Sequence, residues 1–318
     1  MSMRNKILVT DPISEAAVQA LVREGFNVTT KELNPDELLK AIKDYDALIV
    51  RSRTKVTKEV VYAGVRLRVI ARAGVGLDNI DVNAAKTKNI IVMNTPEAPS
   101  VSVAELVFGL MLSIARSISV ADAALKNGKW LKQSLTGFEL RNKTLGIVGF
   151  GRIGREVAKR AISFEMKVLA FDTLPQSLAD AKKLGVEAIG SNRAAFERLM
   201  KNSDFITIHV PSLPETHHMF GEKEFSLMKR NVVLINAARG GIIDESAMLK
   251  ALKDGRIRGI GLDVFEEEPP KNTDLIKSPN VVCTPHIGAQ TVEAQESAGN
   301  MISAKIIEAF RKEGPKRK

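Results

Sequence analysis

The chain has 318 residues, room for two domains rather than one small module, and at that size an apolar core needs no disulfide staples. A single cysteine, Cys283, excludes a disulfide framework and a Cys-rich zinc site, and four histidines leave little for a His-based centre, so no metal is expected. Lys and Arg number 47 against 37 Asp and Glu, a net charge of +10, but the basic residues are scattered and aromatics make up only 5%; no nucleic-acid partner is expected, and the surplus suits anionic small molecules.

The opening residues hold no apolar signal core, and no apolar run reaches membrane-spanning length. The expectation is a cytoplasmic protein with no membrane partner. Short β-rich runs alternate with longer helical patterns, which predicts a parallel α/β architecture. Strands are expected at Lys6–Val9, Phe26–Thr29, Ala47–Val50, Val69–Ala71 and Ile90–Met93, with helices from Ser14 to Glu24 and from Pro35. A long helix is expected from Ser100 to Lys126; Ser102–Glu105 has capping-box form, and Asn127–Gly128 is a stop signal. A second unit begins at Lys143–Gly149, with strands at Lys167–Phe171, Asp204–Val210, Val232–Asn236, Gly259–Leu262 and Asn280–Cys283. Periodicity alone leaves open which unit the last helix, Thr291 to Arg311, packs on; the basic run Lys316–Lys318 lies in the tail behind it.

Gly149, Gly151 and Gly154 stand in G-x-G-x-x-G spacing between an apolar strand, Thr144–Val148, and a helix opening at Arg152 and Ile153. That context reads as a dinucleotide turn: a tight bend, a close backbone approach to a diphosphate, and close packing of helix on strand. The strand Lys167–Phe171 ends in Asp172, whose carboxylate suits the adenosine ribose hydroxyls and would repel a 2′-phosphate; the next residues, Thr173 and Leu174, offer no arginine to hold one. NAD is therefore expected rather than NADP.

Three later segments set a charged or titratable group just behind a strand: Arg239 in NAARGGIIDE, Glu268 in LDVFEEEPP and His286 in TPHIGAQT. Singly, each has a plain reading as a surface ion-pair partner, part of the acidic run Glu266–Glu268, or a hydrogen-bonded core histidine. Together, behind a dinucleotide turn, they suit a 2-oxo or 2-hydroxy acid. The arginine grips the carboxylate, the histidine moves the hydroxyl proton, and the carboxylate orients and charges the histidine.

These segments, with RSRT at Arg51–Thr54, ARAGVGLDNIDV at Ala71–Val82, VMNTPEAPSVSVAEL and TVEAQ, run through nearly the whole chain, which resembles the D-isomer-specific 2-hydroxyacid dehydrogenases. The resemblance implies an α/β fold of two doubly wound, Rossmann-like or flavodoxin-like domains with parallel sheets. Residues 1–98 and 290–318 would form the substrate domain and 99–289 the NAD domain, with the active site in the cleft. It implies Arg239, Glu268 and His286 as catalytic residues. It extends the NAD contacts from the glycine turn and Asp172 to His209, Val210, Pro211, Thr216, Ala237, Ala238, Asp263, Gly288 and Ala289. It also implies a homodimer, or a homotetramer, with contacts along the Ser100–Lys126 helix.

Within that family the segments match most closely the branch that oxidises D-3-phosphoglycerate at the start of serine synthesis. Gly74, Val75 and Gly76 form a loop whose N–H groups can hold a carboxylate, and Arg51, Ser52, Arg53 and Arg72 bring additional positive charge and a hydroxyl suited to a phosphate. Lys132, behind Gly128–Lys129–Trp130, stands where the branch sets a basic residue toward the neighbouring subunit's substrate. A glyoxylate or hydroxypyruvate reductase would share the three catalytic residues, and an NAD(H)-sensing regulator of the same fold would share the turn; turnover separates them. Many members with this activity carry further C-terminal regulatory domains. The sequence ends at Lys318, so serine feedback through one is not expected. His217 and His218 are expected as plain exposed loop residues.

Overall fold

The computed structural model describes residues 5–312, and the basic run Lys316–Lys318 lies outside them. The chain divides into two units, Met1–Pro99 with Ala289–Lys318, and Ser100–Gly288. In the first, β1 (Lys6–Val9), β2 (Asn27–Thr30), β3 (Ala47–Val50), β4 (Val69–Arg72) and β5 (Ile91–Asn94) form one parallel sheet in the order β2-β1-β3-β4-β5. This is the flavodoxin-like order. Alternate side chains feed opposite faces. Leu8, Leu48, Val50 and Ile70 pack with Leu38, Val60 and Val61, whereas Ile7, Val9, Ile49 and Ala71 pack with Leu21, Ile302, Ile306 and Phe310. The last three belong to the final helix, Val292–Lys312, which therefore joins this unit. The Ser303 hydroxyl donates to the Ala17 carbonyl at 3.1 Å and seals that seam.

In the second unit, β6 (Thr144–Val148), β7 (Lys167–Phe171), β8 (Glu187–Gly190), β9 (Phe205–Ile208), β10 (Val232–Asn236), β11 (Ile257–Leu262) and β12 (Val281–Cys283) run parallel in the order β12-β11-β10-β9-β6-β7-β8. It is the Rossmann order with one further strand, and its direction reverses between β6 and β9. Ile147, Phe205, Val233 and Ile235 face the helices Ser100–Arg116 and Arg152–Ser163. Val148, Ile206, Ile208 and Leu234 face Arg193–Asn202 and Glu245–Lys253. Both faces are covered, which is why these strands read as continuous apolar runs. No single helix among the described residues is long and apolar enough to cross a membrane.

Two expectations are corrected, and one strand is added. The Ser100–Lys126 helix breaks at Ser117, which adopts φ +50, into Ser100–Arg116 and Ile118–Lys126, bent by 66°. There the Phe138 N–H takes the Ala115 carbonyl at 3.0 Å, so a distant segment ends the first piece. Ser102 is no cap: it lies within the helix, and its hydroxyl donates to the Gly288 carbonyl at 2.6 Å. Strand β8 has no counterpart in the pattern reading; it is a short sheet edge, glutamate first and glycine last.

Candidate active site

The dinucleotide turn sits where the strand order reverses. Gly149 has φ +94, and a Cβ on it would come 2.7 Å from the His209 carbonyl carbon, so β6 and the end of β9 meet main chain to main chain. A Cβ on Gly154 would lie 2.3 Å from the Gly149 oxygen, which fixes the helix close against the turn. Gly151 caps the helix opened by Arg152 and Ile153 without a side-chain hydrogen bond, and a Cβ there would meet nothing within 4 Å. Open space therefore fronts the free N–H groups and positive end of this helix, as a diphosphate requires.

Asp172 stands at the end of the neighbouring strand. Its Oδ2 accepts the Phe150 N–H at 2.7 Å and its Oδ1 the Leu174 N–H at 2.8 Å, so the carboxylate is fixed with acceptor capacity to spare for a ribose diol. Across the turn, His209 Nε2 lies 2.9 Å from Thr207 Oγ1, while its buried Nδ1 has no partner among the described residues. Burial pushes this ring down to about 3, so it is neutral at working pH. An orphaned polar atom here is one that a bound ligand can satisfy. Beyond Val210 and Pro211, the Thr216 hydroxyl donates to the Pro211 carbonyl at 2.7 Å and shapes the loop. The open cradle, the fixed acid and the orphaned nitrogen together fit NAD.

The remaining groups come from the ends of β10, β11 and β12. Asn236, buried at the end of β10, accepts the Ala238 N–H at 3.0 Å and donates to the Arg239 carbonyl at 2.9 Å, closing the turn Ala237–Arg239. Arg239 is half-buried, with Nη1 donating to the Ala238 carbonyl at 2.6 Å. A Cβ on the next residue, Gly240, would fall 1.8 Å from the Phe265 oxygen. Only glycine allows the arginine turn to lie directly on the loop that carries Glu268.

Asp263, buried at the end of β11, organises the histidine loop. It accepts the Thr284 hydroxyl at 2.6 Å and the Ile287 and Gly288 N–H groups, both at 2.8 Å. Burial raises this carboxyl above its ordinary range, opposed by those donors and by the His286 charge. Between Thr284 and Ile287, His286 takes φ +54, and its Nδ1 lies 2.8 Å from Glu268 Oε2. Burial works against ionisation of Glu268, but the His286 hydrogen bond and charge, the Phe265 N–H and the Arg239 charge hold it below the ordinary carboxylate range. With Nδ1 engaged, Nε2 is the ring nitrogen left for a substrate proton. Both side chains keep 40% or more of their surface exposed, so a substrate can reach them.

The candidate substrate residues Arg51 to Gly76 stand in the other unit. Buried Asp11 accepts the Arg51 N–H at 2.6 Å, the Thr54 N–H at 3.1 Å and the Thr54 hydroxyl at 2.7 Å, and so folds the Arg51–Thr54 segment around itself. Arg53 is paired with Asp11 and Glu32, and Ser52 is exposed. Arg72 turns back to bond the Gly76 carbonyl, and Asn94 bonds the Val75 carbonyl, so the Gly74–Gly76 loop is held by its own unit. Lys132 is exposed, and Ala289 opens the segment that returns to this unit. Sequence reasoning missed Asp11 and Glu266, each a side chain binding main chain far away in sequence, and Asn236, which closes its own turn two and three residues on. It also took His218 for a plain loop residue, whereas its Nε2 lies 3.0 Å from Glu266 Oε1.

Comparison with known proteins agrees in kind. Residues 108–288 match the description "D-isomer specific 2-hydroxyacid dehydrogenase, NAD binding domain". A D-3-phosphoglycerate dehydrogenase of Methanocaldococcus jannaschii is 49% identical over 309 residues, 97% of this chain and 58% of that one, so this chain spans little more than half of that relative. A hydroxypyruvate reductase of Thermotoga maritima is 47% identical over 308 residues, 96% of this chain and 98% of that one. Among solved structures, a D-lactate dehydrogenase from Aquifex aeolicus complexed with NAD and lactic acid is similar with a TM-score of 0.82 and 30% identity, covering 97% of this chain and 96% of that one.

Proposed function

The chain belongs to the D-isomer specific 2-hydroxyacid dehydrogenases, and on that premise we propose that it oxidises D-3-phosphoglycerate to 3-phosphohydroxypyruvate with NAD, opening phosphorylated L-serine synthesis. The observation that carries the chemistry is the Glu268–His286 contact, set at the same carboxyl end of the sheet as Arg239. Arg239 binds the substrate carboxylate and polarises the oxygen that becomes the carbonyl. His286 Nε2 takes the hydroxyl proton, and Glu268 stabilises the imidazolium through Nδ1. Bound NAD supplies the hydride acceptor. In reduction the same nitrogen returns the proton.

The phosphorylated substrate is supported by the 49% identity to a D-3-phosphoglycerate dehydrogenase and by the basic residues Arg51 and Lys132. A hydroxypyruvate reductase is the second reading. It is favoured by the 47% identity to a relative of matching length and by Arg53, whose charge Asp11 and Glu32 already neutralise. Specificity constants for NADH oxidation with 3-phosphohydroxypyruvate, hydroxypyruvate and glyoxylate, measured side by side, test the proposal. A clear preference for the phosphorylated acid supports it, and a preference for hydroxypyruvate or glyoxylate replaces it with the second reading.

A homodimer is part of the proposal. Ile118, Leu125 and Trp130 are exposed, Trp130 at 78%, and a second copy would cover them. Sedimentation at working concentration tests it, and a monomer would count against it.

A further inference from the structure

Glu268 sits in a loop that is stapled in place two residues earlier. The Glu266 N–H donates to Glu245 Oε1 at 2.9 Å, and the Glu245 N–H donates back to Glu266 Oε1 at 3.1 Å. The same Glu266 oxygen lies 3.0 Å from His218 Nε2. His218 in turn donates its main-chain N–H to the Gly241 carbonyl at 2.8 Å, in the stretch that begins with Arg239. The Arg239 turn, the start of the helix Glu245–Lys253 and the Glu268 loop are therefore tied through one carboxylate. His217 stacks on His218 with ring centroids 4.0 Å apart, so the imidazole is held on its face and at Nε2, while Asp244 Oδ2 lies 4.0 Å from Nδ1, too far for a hydrogen bond.

We propose that Glu266 is a positioning residue for Glu268, held by His218, and that the pair sets the contact between Glu268 and His286. Glu266 touches neither substrate nor cofactor in this account. Its side chain and that of His218 are 37% and 39% exposed, so the pair adds little to stability as an ion pair. Its effect is geometric. The Phe265–Glu266 peptide lies against Gly240, and the Phe265 N–H reaches Glu268 Oε1 at 3.3 Å, so a shift at Glu266 passes directly to the catalytic carboxylate. Proton transfer is steep in such displacements.

The proposal rests on Glu268 as the partner of His286. The experiment compares Glu266→Ala, Glu266→Gln, His218→Ala and Glu268→Gln in the full chain, reading kcat, the KM for NADH, the pH profile of 2-oxo acid reduction and the Tm. Glu266→Ala is expected to lower kcat about tenfold, to leave the KM for NADH unchanged, and to move the pH profile in the direction that Glu268→Gln moves it. Glu266→Gln keeps the acceptor oxygen and is expected to retain kcat within about twofold of the unaltered protein. His218→Ala is expected to cost about threefold. A Glu266→Ala protein with unaltered kcat and pH profile overturns the proposal, as does a Glu266→Gln protein as impaired as the alanine variant. If Glu266→Ala does not fold, an unmoved profile in His218→Ala overturns it and a moved one supports it. Unaltered activity in Glu268→Gln removes the reading beneath; impairment there with none in Glu266→Ala removes this proposal alone.

Discussion

His286 Nδ1 lies 2.8 Å from Glu268 Oε2, although the two residues stand on the ends of different strands and are separated by 18 positions. The histidine is delivered by a loop that buried Asp263 folds, and the glutamate by a loop lying on Gly240. Main-chain geometry thus brings them together, and in the proposed reaction their pairing would tune the proton transfer.

Glu268→Gln keeps the shape of that pair and removes its charge. The kcat is expected to fall, and the limb of the pH profile that reports proton transfer is expected to move to lower pH. The direction follows from the carboxylate, which is held ionised by His286 and favours the imidazolium in return. An unmoved limb in steady-state assays would separate Glu268 from the histidine.

Arg239→Lys retains a positive charge but loses the planar fork that binds a carboxylate and a carbonyl oxygen together. The expected result is a drop in kcat/KM of about 10²-fold, with both parameters affected and NADH binding intact. Behaviour like that of the unaltered protein would take Arg239 out of the site.

Gly240→Ala tests the contact between the two loops. The added Cβ would overlap the Phe265 carbonyl, where the nearest atom is 1.8 Å away. Activity is expected to fall more steeply than for alanine placed at Gly151, where a Cβ meets no protein atom within 4 Å. The Gly151 variant should instead weaken NADH binding, because the methyl enters the space left for the diphosphate. Fluorescence titration of NADH with both proteins checks the contrast.

His209 gives the second unit an acid sensitivity. Its ring is pushed from an ordinary value of 6.5 down to about 3. Below pH 6.5 the unfolded chain takes up a proton that the folded chain refuses. The stability is therefore full above that pH and declines as the pH falls toward 3, by about 2 kcal/mol at pH 5. In His209→Gln the difference in unfolding free energy between pH 7 and pH 5 should shrink by about that amount. Equal urea-unfolding shifts in the two proteins would contradict this.

Much of the fold is legible in the sequence because parallel sheets covered on both faces leave unbroken apolar runs, as at Ala47–Val50 and Val232–Asn236. The glycine turn is legible for a local reason: Gly149 and Gly154 answer contacts made within a few residues or across one strand. What escapes is set from a distance. The break at Ser117 depends on Phe138, which takes the Ala115 carbonyl, and nothing near Ser117 announces it. Arg53 reads as a free cation until the fold brings Asp11 and Glu32 beside it. Asp263 enters the sequence reading as an NAD contact implied by the resemblance; its bond to the Thr284 hydroxyl 21 positions on, at 2.6 Å, which ties it to the histidine loop, is visible only in the fold.

The most direct test of the account is single-turnover reduction of a 2-oxo acid by NADH in the unaltered protein and in His286→Gln, with NADH affinity measured on the same samples. The account predicts that the chemical step slows at least about 10²-fold while NADH affinity stays within about twofold, since His286 moves the proton and the glycine turn holds the cofactor. An unchanged rate for the chemical step would contradict it.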